Sequence, residues 1–148
     1  MNCAVAYFRK TDVVVHAQHR TVDGLWIAGP PVFRIDRAET ATELIPAVLG
    51  ALDRSRVGVP APAEWKAVLK EVLVVAKVRS WNALARGAKL CSISRSGQEI
   101  VITPNHNGGL KGEDRGFHEV PGRAIRIDAA APASDLLQGL VTGEARCT

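Results

Sequence analysis

The chain holds little that would staple it shut, stack on nucleobases or carry it across a membrane. Cysteine is scarce: Cys3, Cys91 and Cys147 are the only three in 148 residues. An odd, scattered set with no Cys-x-x-Cys excludes a disulfide framework and reads as reduced thiols. No Cys/His cluster is present, so neither a zinc site nor another metal or cofactor is expected. Aromatics make up only 5% of the residues. Trp81 is the one that lies near the denser basic groups. Neither sign of charge dominates, since 19 Lys and Arg against 15 Asp and Glu leave +4. That balance is mildly basic and does not by itself point to nucleic acid. No stretch approaches the roughly 18 uncharged apolar residues of a membrane span. The opening segment, Met1 to Lys10, places its charges after a short apolar run, the reverse of a secretory signal. The expected location is the cytoplasm, with no membrane partner. P-loop, Gly-x-Gly-x-x-Gly, nucleophile-elbow and His-Glu-x-x-His patterns are all missing, so no enzyme class is indicated.

What is present is ordinary globular material, 47% hydrophobic and 23% charged. A chain of this length buries roughly 68–70% of its unfolded surface, enough for a core without metals or bridges. One domain is expected over residues 1–143, with 144–148 as a frayed tail. Cys3 and Cys91 fall in strand-like runs and should be core residues, whereas Cys147 should be exposed.

Strand signals open the chain at 2–8 and 13–20. The second run alternates, with Val13, Val15 and Ala17 on one face and Val14, His16 and Gln18 on the other. His16 and His19, three apart on a strand, point to opposite faces and should be partly exposed. Asp23-Gly24 suggests a hairpin, and Gly29-Pro30-Pro31 should break the ladder, because neither proline donates. The period then becomes helical. Leu44, Ile45, Val48, Leu49 and Leu52 make one stripe, with Thr42 as the expected N-cap so that Pro46 falls in the first turn. Residues 54–63 read as a loop. A second helix is expected over 65–76, with Trp65 on its apolar face, and Trp26 and Trp65 are expected in the core. A short helix should follow Ser80. Strands at 88–95 and 98–103 flank Ser96-Gly97. Residues 104–118 hold four glycines and no periodicity, the mark of a long functional loop. Strand signals recur at 117–120 and 123–128. A last helix opens at Pro132 or Ser134 and should stop at Gly143. Hairpin-like runs of strands, then helices, then strands again favour an α+β fold with a largely antiparallel sheet and helices packed on it.

Two groups could carry chemistry. His106 and His118 flank the glycine-rich loop with Lys111 between them, the residue types of a metal-independent ribonuclease: a base, an acid and a cation. Lys66, Lys70, Lys77 and Arg79 would serve a basic RNA-binding module. Each group also has a plain reading, as turn residues and as a solvated face.

Residues 79–120 add something more specific. Arg79-Ser80-Trp81-Asn82-Ala83-Leu84, then Ala88 to Ile93, then Glu99 to Pro104, then Gly108-Gly109 and Phe117, resemble the C-terminal half of CdiI-type immunity proteins. Those proteins belong to bacterial contact-dependent growth inhibition systems. The resemblance spans about residues 40–142. It implies an antitoxin without catalytic activity. Such a protein would bind the C-terminal toxin domain of a cognate CdiA effector one to one. That domain is often a nuclease acting on tRNA, and the antitoxin would block its active site. No direct contact with nucleic acid is then expected. A tight inhibitor needs roughly 1,200–2,000 Å² of interface and a few anchors. The candidate toxin-binding residues are Asn105, His106, Asn107, Lys111, Glu113, Asp114 and Arg115 in the loop. Trp81 is a further candidate, read either as an anchor or as a core packer. The charge of +4 departs from the acidic character common among inhibitors of basic nucleases.

Overall fold

A computed structural model describes all 148 residues. Its centre is a mixed but mainly antiparallel sheet. The main strands are β1 (Asn2–Phe8), β2 (Asp12–Thr21), β3 (Trp26–Asp36), β5 (Lys89–Ser96) and β6 (Glu99–Asn107). Three short strands complete it: β4 (Val57–Val59), β7 (Phe117–Glu119) and β8 (Ile125–Asp128). The order is β3-β2-β1-β5-β6-β7, with β8 also on β6 and β4 parallel to the end of β2. Four helices cover it: α1 (Thr40–Arg54), α2 (Lys70–Ala76), α3 (Trp81–Ala85) and α4 (Ala133–Arg146). This is the expected α+β architecture.

Alternation along the central strands sorts the core into two layers. Ala4, Ala6, Phe8, Val13, Val15 and Ala17 meet α1 and α4 on one face. Val5, Tyr7 and Val14 meet Val72, Ala76 and Leu84 of α2 and α3 on the other. The sheet is thus buried on both sides. That corrects the reading of His16 as partly exposed: it is 2% exposed, under the second layer.

Other expectations are also corrected. Helix α1 starts at Thr40, after a 3-10 turn at Arg37–Glu39, so Pro46 lies seven residues inside it. Thr42 and Pro46 are both exposed, so water can serve the carbonyl that the proline leaves unpaired. Strand β3 is not ended by its prolines. It pairs on both sides of them, His16 with Val32 and Ala17 with Gly29, and the ladder skips Pro30 and Pro31. An edge strand tolerates this because its outer face needs no donor. The loop at 54–63 contains β4. The helix expected over 65–76 is divided into a 3-10 turn, Trp65–Ala67, and α2. Trp65 overshoots the core and is 54% exposed.

The C-terminus is the largest departure. Helix α4 runs through Gly143 to Arg146, and Cys147 is buried. The frayed tail at 144–148 is therefore not found. Gly139 and Gly143, one turn apart, let the helix backbone sit directly on Ile102, Ile127 and Cys91. Arg37 pairs with Glu144 at 2.6 Å. Thr148 then extends along β6, its N–H donating to the Asn105 carbonyl and its own carbonyl accepting from the Asn107 N–H. Cys147 Sγ lies 3.8 Å from Cys91 Sγ. Their shared hydrogen bond favours thiolate at Cys147 and keeps Cys91 a thiol.

Candidate functional site

The fifteen-residue loop read from sequence is shorter in space. Asn105, His106 and Asn107 belong to β6 and pair with Glu119, His118 and Phe117 of β7. What remains is a ring from Gly108 to Gly116. Its neck is closed by Gly108 N–H to the Gly116 carbonyl at 2.8 Å and Gly116 N–H to the Gly109 carbonyl at 3.0 Å. Gly109, Gly112 and Gly116 take φ of +85°, +90° and +92°, where side chains with a Cβ are strained. That is why this stretch carries glycines and no periodicity.

The structure divides the candidate residues by role. Asn105 is buried, with its amide donating to Thr103 and Ser92, and it cannot reach a partner. Burial along β6, which the loop reading did not foresee, removes it from the surface set. Asn107 spends its whole side chain internally. Its amide nitrogen donates to the carbonyls of Ala85 and Ala88 at 2.9 and 2.8 Å, and its oxygen accepts from Gly109 N–H. It ties α3 to the loop. His106 Nε2 meets the Asp114 carboxylate at 2.8 Å, and its Nδ1 meets Thr148 Oγ1 at 2.8 Å. Lys111, Glu113, Asp114 and Arg115 are exposed around the ring.

Trp81 joins them. It is partly buried, edge-on to Tyr7 at 6.0 Å and to Phe117 at 6.1 Å. A cavity of about 360 Å³ lies between it and the loop, lined by Asn107, Leu110, Arg115 and Phe117 among others. Trp81 is thus both a packing residue and the floor of a depression beside the ring. Sequence reasoning missed Tyr7 and Phe117 as its partners, because only the sheet order brings them together. It also missed Thr148.

His106 and His118 are cross-strand neighbours, as a ribonuclease reading requires. Both, however, spend Nε2 on the ring: His106 on Asp114, and His118 on the carbonyls of Asp114 and Arg115 at 3.0 Å. A general acid and base need a nitrogen aimed at the scissile group, and here those nitrogens fasten the loop. The lysines of the RNA-binding reading are spread over the 3-10 turn, α2 and its end. Lys77 instead lines a basic cleft with Arg9, Lys10, Arg34 and Arg86, in which Asp12 is the one acid.

No protein-family model matches the chain. No curated protein matches it either. Solved structures do share its fold. A protein of unknown function from Neisseria meningitidis superposes with a TM-score of 0.79 at 14% identity, covering 99% of this chain and 95% of that one. A chain of the CdiA-CT/CdiI toxin and immunity complex from Yersinia pseudotuberculosis superposes with a TM-score of 0.78 at 14% identity, covering 99% and 97%. At that identity the likeness establishes a common fold over the full length of the chain.

Proposed function

We propose that this protein is an immunity protein of the CdiI type. The observation that carries the reading is the fold shared, end to end, with a chain of a toxin and immunity complex. The resemblance over residues 79–120 supports it independently. The protein binds the C-terminal toxin domain of a cognate CdiA effector in a one-to-one complex. It neutralises that domain in the cytoplasm by covering its active site, and the toxin is a nuclease directed at tRNA. The chain acts as a binder and not as an enzyme, consistent with two histidines that fasten a loop.

The contact surface in this reading is the ring and its floor: His106, Lys111, Glu113, Asp114, Arg115 and Trp81. The neck bonds and the His106–Asp114 pair hold the ring in one shape before binding, which lowers the ordering cost of association. Charges of both signs sit within five residues, Lys111 to Arg115. Such a pattern sets register and discriminates between partners more than it adds raw affinity. It also suits a chain whose overall charge is not acidic.

Co-expression with the toxin domain encoded beside this chain is the test. Growth rescue and a co-purifying one-to-one complex are expected. Neither rescue nor complex with that domain would overturn the reading. Reversing Lys111→Glu together with Glu113→Lys should weaken the complex at least tenfold without changing Tm; unchanged affinity would move the interface elsewhere. RNA cleavage by the purified chain, abolished by both His106→Ala and His118→Ala, would favour the ribonuclease reading instead.

A further inference from the structure

All three tryptophans of the chain, Trp26, Trp65 and Trp81, line one cavity of about 450 Å³ on the α2 side of the sheet. Tyr7, His16 and Gln18 bring polar atoms to it. The strands explain the convergence. His16 and Gln18 alternate onto one face of β2, and Tyr7 on β1 lies diagonal to His16, with ring centroids 5.7 Å apart. A second apolar cavity of about 450 Å³ shares Ile27, Ala28 and Val68 with it.

His16 is the unusual member. Its Nδ1 lies 2.8 Å from the Ala17 carbonyl, which can only accept, so Nδ1 carries the proton. Nε2 is then a bare lone pair, and no group in the protein meets it, although the residue is only 2% exposed. A buried acceptor without a donor is costly and rare. His16 is also one of the residues that line this aromatic cavity, whose volume is within the size range of small-molecule sites, and its Nε2 lies just beneath the surface, covered.

We infer that this cavity is a binding site for a small neutral aromatic molecule bearing an O–H or N–H donor, a phenol in the simplest case, whose donor meets His16 Nε2. The tryptophans and Tyr7 supply ring faces and edges for an aromatic body. The lone pair repels an anion, and a cation would have to be desolvated among apolar walls. A neutral donor satisfies both conditions. Nε2 is closed off from bulk water, so the ligand reaches it when a lining side chain swings aside. Trp65 is held least, being half exposed on a one-turn 3-10 helix.

The test pairs 4-ethylphenol with 4-ethylanisole, which has a similar shape and lacks the donor. Calorimetry on the full chain should show the phenol binding about tenfold tighter, the worth of one hydrogen bond to an otherwise unpaired buried acceptor. The ¹⁵N resonance of His16 Nε2 should move with the phenol and stay still with the ether. His16→Phe should erase the preference while leaving the ether's affinity unchanged. N-acetyltyrosinamide carries the same phenol on a peptide frame. Tighter binding of 4-ethylphenol than of this amide assigns the site to a free small molecule; the opposite order would overturn that assignment. Equal binding of phenol and ether by the wild-type chain, or a static Nε2 resonance, overturns the inference without reliance on any variant. Neither result bears on toxin binding.

Discussion

His16 makes the stability of this fold depend on pH in a way that can be measured residue by residue. Burial disfavours its charged form and holds the imidazole below its ordinary range, despite the opposing hydrogen bond to Ala17. A proton on Nε2 would also be a buried donor without an acceptor. The sign follows from linkage. The unfolded chain binds a proton below about pH 6.5, and the folded chain does so only at lower pH. Stability is therefore fully present above pH 6.5 and falls as pH drops toward the folded-state value. The loss is at most about 1.4 kcal/mol per pH unit, the limit reached while the folded imidazole stays neutral, and so at most about 1.4 kcal/mol by pH 5.5. His19, also held down by partial burial, contributes in the same direction. His16→Phe should be within about 1 kcal/mol of wild type at pH 7.5, since it removes one hydrogen bond and one unmet acceptor together. By pH 5.5 it should have gained on wild type relative to that baseline, by at most about 1.4 kcal/mol, and only the slope from His19 should remain. Urea denaturation across pH 5.5–7.5 reads both. Parallel curves for wild type and variant would refute the reasoning.

Three further outcomes follow from the same structure. Gly108→Ala places a Cβ against the backbone carbonyl of Asp114, which no rotamer change relieves; the ring should open, with the loss of about 2 kcal/mol by urea denaturation and, under the proposed function, of toxin binding, and a wild-type stability would contradict the closed neck. Asp12 is 1% exposed between Arg9 and Arg34, at 2.6 and 2.7 Å. Burial alone would raise its pKa, but the two arginines outweigh this and hold it below the usual carboxylate range. Asp12→Asn should cost about 2 kcal/mol at neutral pH, less than the roughly 3–5 kcal/mol of a fully buried pair because the arginines still touch water. That difference should fade as pH falls below about 4, where wild type loses the same charge; a difference constant down to pH 2 would exclude the ion pairs as its source. Mild oxidation with diamide should join Cys91 to Cys147 with the loss of two hydrogens and leave Cys3 a thiol, and peptide mapping that finds Cys3 in the bridge would contradict the observed contact.

Local pattern settled a good deal. Alternation at residues 13–20 assigned Val13, Val15 and Ala17 to one face and Val14 and His16 to the other, and the two core layers divide there. Ser96-Gly97 marked a hairpin whose turn falls one residue later, at Gly97-Gln98, with Ser96 paired to Glu99, and Ser80 caps α3 through a bond from Ala83 N–H. These are short-range effects of period, turn geometry and side-chain capping, and neighbouring residues suffice to decide them. Of the proposed site, the sequence marked the segment but not where each of its residues would lie. Asn105, Asn107 and His106 are all polar and adjacent, and nothing local tells a buried amide from a loop clasp or a surface contact.

Those distinctions came from contacts distant in the chain. Thr148 reaches β6 only because Gly139 and Gly143 lack the Cβ that would hold α4 off the sheet. Tyr7, Trp81 and Phe117 meet because β1, α3 and β7 are brought to one face by the strand order. Trp65 lies outside the core although its spacing places it on the apolar stripe, because periodicity orients a side chain without saying where the sheet ends. Composition and spacing thus determined an α+β chain with a glycine-rich segment of mixed charge. Which polar groups that segment leaves free, and the unpaired nitrogen of His16 beside three tryptophans, were decided only by the tertiary structure, since both depend on which strands become neighbours.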